Sequence, residues 1–143
     1  MNVKFTAAAI FAAVAVAGCA PQTVKVPVGN VEVVIAPDAP PAVRFAAGEM
    51  KSLLGRMSGA DVPVVTAPTA GRYPIVLGTN SWSVAAGLRP EALKRDSYCV
   101  LIGEKGAVIA GCDDPKADPA NPGGCGYTER ATLFGVYGFL DRH

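Results

Sequence analysis

The sequence has one histidine in 143 residues, and it is the last residue, His143. A serine or cysteine nucleophile activated by an imidazole therefore has no partner anywhere upstream. An imidazole at a helix end is favoured by the helix dipole alone, so no catalytic residue is expected here. An excess of one charge is also missing. Thirteen Lys+Arg stand against 12 Asp+Glu, a net charge of +1. No basic stripe runs along the chain, and aromatics do not alternate with Lys or Arg, which disfavours nucleic acid as a partner. Electrostatic adhesion to anionic lipid is disfavoured for the same reason. Aromatic residues make up only 7%, with a single tryptophan, Trp82.

Metal and cofactor patterns are equally scarce. Cys112 and Cys125 are not spaced as zinc knuckles. Asp113, Asp114 and Asp118 lack the regular alternation and distal glutamate of a calcium loop. The adjacent pair Asp113-Asp114 does not offer the fixed separation across a cleft that glycoside cleavage needs. Gly103-Glu-Lys-Gly106 and Gly123-Gly-Cys-Gly126 lack the phosphate-loop lysine pattern and read as turns. The expectation is no metal and no cofactor.

Hydrophobicity, by contrast, is abundant at 50%, and part of it lies at the N-terminus. Met1 to Lys4 carries one positive charge, and Phe5 to Ala17 is an uncharged, apolar run broken only by Thr6. Such a run is too short for a permanent membrane span and reads as a signal peptide. Val16-Ala17-Gly18-Cys19 resembles a bacterial lipobox, in which the cysteine thiol is alkylated by diacylglycerol. The resemblance implies a signal peptide over 1–18 and a lipidated Cys19 that anchors the chain to a membrane. Several acyl chains give stable anchoring. Ala20, rather than aspartate, follows the cysteine, which points to the outer membrane. Cleavage after Gly18 removes Lys4 alone, leaving the positive and negative side chains balanced at 12 each.

Residues 19–30 then read as a tether, although Val24 to Val28 has the composition of an edge strand. From residue 31 the chain reads as one α/β domain ending at 143. Strands are expected at 31–35, 61–65, 73–78, 97–102 and 107–111 from their β-branched and apolar runs. Pro41 opens a helix to about Met57, with Val43, Ala46, Ala47, Met50, Leu53, Leu54 and Met57 recurring at spacings of three and four. Gly59 is its stop. Helical turns fit 83–88 and 90–94. The polar segment 112–127 reads as an exposed loop. A last amphipathic helix occupies 128–143, with Thr128 as candidate N-cap and Phe134, Val136, Tyr137 and Leu140 closing the core. This order predicts an α+β fold: a two-layer α/β sandwich, with a mixed sheet of about five strands and two main helices on one face.

Two readings of single residues stay open. Cys112 and Cys125 bracket the polar loop and are a candidate disulfide, since a bridge would order that loop. If the hairpin turned at Lys105-Gly106, Cys99 would instead lie opposite Cys112, and free thiols are the third option. Trp82 is a candidate glycan-stacking platform or a plug for the core beneath it.

An ordered set of segments is similar to a known family. Ala47-Gly-Glu-Met-Lys-Ser-Leu-Leu-Gly-Arg-Met-Ser-Gly59 leads into Asp61-Val-Pro-Val-Val65. Then follow Tyr73-Pro-Ile-Val-Leu-Gly78, Asp96-Ser-Tyr-Cys-Val-Leu-Ile102 and Ala131-Thr-Leu-Phe-Gly-Val-Tyr-Gly-Phe-Leu-Asp141. Together they resemble the N-terminal domain of bacterial α-glucuronidases and the related small domain of β-hexosaminidases. The resemblance implies a non-catalytic α/β sandwich preceding a catalytic (β/α)8 barrel, which holds the acid and the nucleophile or base. That barrel is the implied partner, a polysaccharide such as xylan the implied substrate. Gly135, Tyr137, Gly138 and Phe139 match the family's helix, where glycines allow close backbone approach. The segment 112–127 is longer than the family pattern. The alternative is a stand-alone, lipid-anchored glycan-binding or partner-docking protein.

Overall fold

The computed structural model describes residues 28–121 and 129–142. Residues 1–27, 122–128 and 143 lie outside that range, and with them the lipobox, Cys125, Thr128 and His143. A 3-10 turn, Val28–Asn30, leads into β1 (Val31–Val34), α1 (Pro41–Ser58), β2 (Val64–Val65) and β3 (Tyr73–Leu77). Then come α2 (Ser81–Ala85), a 3-10 turn at Pro90–Ala92, β4 (Tyr98–Gly103), β5 (Gly106–Gly111) and α3 (Ala131–Arg142).

The five strands form one mixed sheet in the order β2-β1-β3-β5-β4. β2, β1, β3 and β5 are mutually parallel, and β4 returns antiparallel beside β5. The α/β sandwich expected from the sequence is therefore present. The direction of travel reverses once. From β1 the chain crosses by α1 to β2, then doubles back past β1 to β3. The return crosses the other face, where the buried Glu32 Oε1 accepts the Thr69 amide at 2.6 Å. A right-handed crossover requires that change of face.

Alternation along the strands sorts two cores. Val31, Val33, Ile75, Leu77, Ala107 and Ile109 face α1 and α3, together with Ala46, Ala47, Met50, Leu133 and Val136. Val34, Val76, Val108 and Ala110 face the other way and meet Leu88, with Trp82, Leu93, Cys99 and Leu101 packed around them. The segment read as two helical turns, 83–88 and 90–94, thus roofs the second face. Its helix α2 is held by a reciprocal cap: Ser83 N donates to Asn80 Oδ1 at 3.0 Å, and Asn80 N to Ser83 Oγ at 2.8 Å.

α1 ends as its sequence requires. Gly59 takes φ 69°, and its amide caps the Gly55 carbonyl, a conformation that costs glycine no Cβ clash. β2 is shorter than expected. Pro63 cannot donate to a ladder, yet its carbonyl still accepts Val33 N at 2.9 Å. The β4–β5 hairpin turns at Glu104-Lys105, one position earlier than the alternative considered above, so Gly103 pairs with Gly106 and Cys99 with Ala110. Cys112 N reaches Ser97 O, so Cys99 does not lie opposite Cys112. Glycine does not supply a left-handed turn there, because the only described non-glycine residue at positive φ is Asp96 and Gly106 is extended.

Glycine does decide how α3 seats. A Cβ on Gly111 would stand 2.5 Å from the Ala131 Cβ and 2.8 Å from the Thr132 amide nitrogen. On Gly135 it would stand 2.7 Å from Ile109 Cγ2, and on Gly138 it would collide with the Tyr98 hydroxyl. The helix lies on β4 and β5 at a separation only glycine permits. Val136 is fully buried, and Leu140 packs against the core as expected. Phe134 and Tyr137 do not: they are 48% and 39% exposed. With Gly135 and Gly138 laid on the Tyr98 ring, residue 134 is turned to the outer side of the helix.

Candidate functional site

In open sheets built from parallel strands, a crevice forms at the carboxyl ends where neighbouring strands lead off in opposite directions. Here that point lies between β1 and β3. A cleft of about 260 Å³ opens there, lined by Asp38, Pro40, Val43, Gly78, Thr79, Asn80, Gly111 and Asp113 among others. Gly78 makes room for it. Its φ is 75°, a conformation that favours glycine, and a Cβ would press on the Val43 methyls at 3.1 Å, so a larger residue would require Val43 to shift.

The polar groups of the cleft divide into committed and uncommitted. Asn80 is committed: Oδ1 caps α2 and Nδ2 donates to the Leu77 carbonyl at 3.1 Å. Asp113 is committed more fully. Its Oδ1 accepts the Thr132 amide at 3.0 Å, and its Oδ2 accepts the Thr132 hydroxyl. Thr132 Oγ1 in turn accepts the Gly111 amide at 2.9 Å. Asp113 thus caps α3 from across the loop and ties its first turn to the end of β5. Its burial pushes the carboxyl above the usual range, partly offset by the two Thr132 hydrogen bonds. Asp38 and Thr79 have no hydrogen bond to their side chains among the described residues. The double proline Pro40-Pro41 removes the first two amides at the start of α1, and the Val43 and Arg44 amides donate to the Pro40 carbonyl. The uncommitted side chains of the cleft are thus one carboxylate, Asp38, and one hydroxyl, Thr79.

The other carboxylates noted in the sequence serve the loop. Asp114 Oδ1 accepts Lys116 N at 2.8 Å, and Asp118 Oδ1 accepts Ala120 N at 3.0 Å. No group of three His, Cys, Asp or Glu side chains disposed for a metal occurs among the described residues. The described part of the loop, 112–121, is less exposed than its composition suggests, because Ala117 is fully buried and the backbone at Asp113 forms an isolated antiparallel β-bridge with Arg130.

Among the described residues Cys99 and Cys112 form no disulfide with each other. The Cys112 thiol is pushed up by burial, then by the Glu129 carboxylate beside it. Its proposed partner Cys125 lies outside the described residues, as does Cys19. Trp82 is half-buried on the second face of the sheet against the Val34, Val76, Val108 cluster, away from the α1/α3 face. Sequence reasoning did not single out Thr132, Asp38 or Glu32. A charged residue inside the apolar run Val31-Glu-Val-Val-Ile35 was the available signal for Glu32, whose Oε2 is buried without a partner among the described residues.

No known family profile matches the sequence, and no curated protein matches it. Among solved structures, the chain is similar to a GH138 enzyme targeting pectin rhamnogalacturonan II. The identity is 16% and the TM-score 0.44, over 78% of this chain and 13% of that one. The chain therefore spans a small part of that enzyme's length, and the fold stands on its own topology.

Proposed function

We propose that this chain is the non-catalytic N-terminal domain of a surface lipoprotein related to glycoside hydrolases, of the α-glucuronidase kind. Cys19 would carry the lipid, the outer membrane would be its location, and a polysaccharide such as xylan the material degraded. Each segment of the family resemblance coincides with an element of one core: the end of α1, β2 and its approach, β3, β4 and α3. The observation that carries the reading is on α3. Its inner side is sealed through Gly135 and Val136, yet Phe134 stays open to solvent, and beside it Tyr137 is still 39% exposed with its hydroxyl donating to Glu49 Oε2 of α1 at 2.8 Å. Large aromatics left outside a finished core mark a contact surface, here for the catalytic barrel that would follow.

An antibody against the chain, applied to fractionated cells, tests this. The expected species is several times the chain's 14.6 kDa and sediments with the outer membrane. A species of the chain's own mass would overturn the reading.

The alternative is a stand-alone lipid-anchored glycan-binding protein, and half-exposed Trp82 on the thinly roofed face favours it. Titration with xylan oligosaccharides should then show binding that Trp82→Ala abolishes, and absence of binding removes that alternative.

A further inference from the structure

We draw no further inference here: the strongest candidate, the cleft between β1 and β3 with Asp38 and Thr79 on its wall, belongs to the site already described, and nothing in the structure shows which class of ligand fills it.

Discussion

One face of the sheet is closed by two helices and the other by a short, broken segment. The helical face gathers Met50, Val33, Ile109 and Val136 at essentially zero exposure. The opposite face relies on Leu88, with half-buried Trp82 and Leu93 around it. Both faces are apolar in sequence, and what differs is the element supplied to cover them. A long helix with apolar residues at three- and four-residue spacing covers several strands at once. A five-residue helix held by one Asn80–Ser83 cap covers a strip and leaves Val84 49% exposed. Stability should therefore lie mainly with the helical face, and adaptability with the other.

The largest expected effect is at the centre of the helical face. Met50→Ala should cost about 2–5 kcal/mol in denaturant unfolding, because the void cannot collapse between α1 and the sheet. Leu88→Ala removes a comparable volume from the second face and should cost near the low end, about 2 kcal/mol; parity between the two would break the comparison. Gly111→Ala comes next, at about 1–3 kcal/mol of overpacking, because the atoms it meets include the Ala131 and Thr132 backbone. A melting temperature unchanged by Gly111→Ala would show that α3 is not clamped by its glycines.

A smaller effect, of about 1 kcal/mol or somewhat more, is expected for Asp113→Ala, which strips both acceptors from Thr132. This one also depends on pH. Burial raises the Asp113 pKa in the folded chain, so the folded state holds the proton more tightly than the unfolded state does. That proton-linked stability is full below the ordinary carboxylate pKa and is lost as pH rises through the raised value. Unfolding across the mildly acidic range should show this slope in the wild type and lose it in Asp113→Ala. Smallest of all, Val84→Ser on the second face should stay within about 0.5 kcal/mol.

Much of this was legible from residues alone. The spacing of Val43, Ala46, Ala47 and Met50 and the stop at Gly59 determine α1, and Tyr73 to Leu77 has the strand composition it needs. Less legible were features set by tertiary contact. The hairpin register depends on which two residues occupy the turn, and a shift of one position in the turn moves Cys99 from Cys112 to Ala110. Phe134 and Tyr137 are apolar and helical, yet whether they enter the core depends on where Gly135 and Gly138 let α3 rest on Tyr98. The cap of α3 comes from Asp113, far from the helix in sequence, and no local pattern announces it. The cleft arises from the reversal between β1 and β3, a property of strand order rather than of any motif.

The central claim is that the outer side of α3, bearing Phe134 and Tyr137, is a contact surface for a further domain. Hydroxyl-radical footprinting of the cell-derived protein beside the isolated chain tests it most directly. The account predicts strong labelling of Phe134 and Tyr137 in the isolated chain and severalfold protection of both in the cell-derived protein, with Val84 labelled equally in the two. Equal labelling of Phe134 and Tyr137 in both would contradict it.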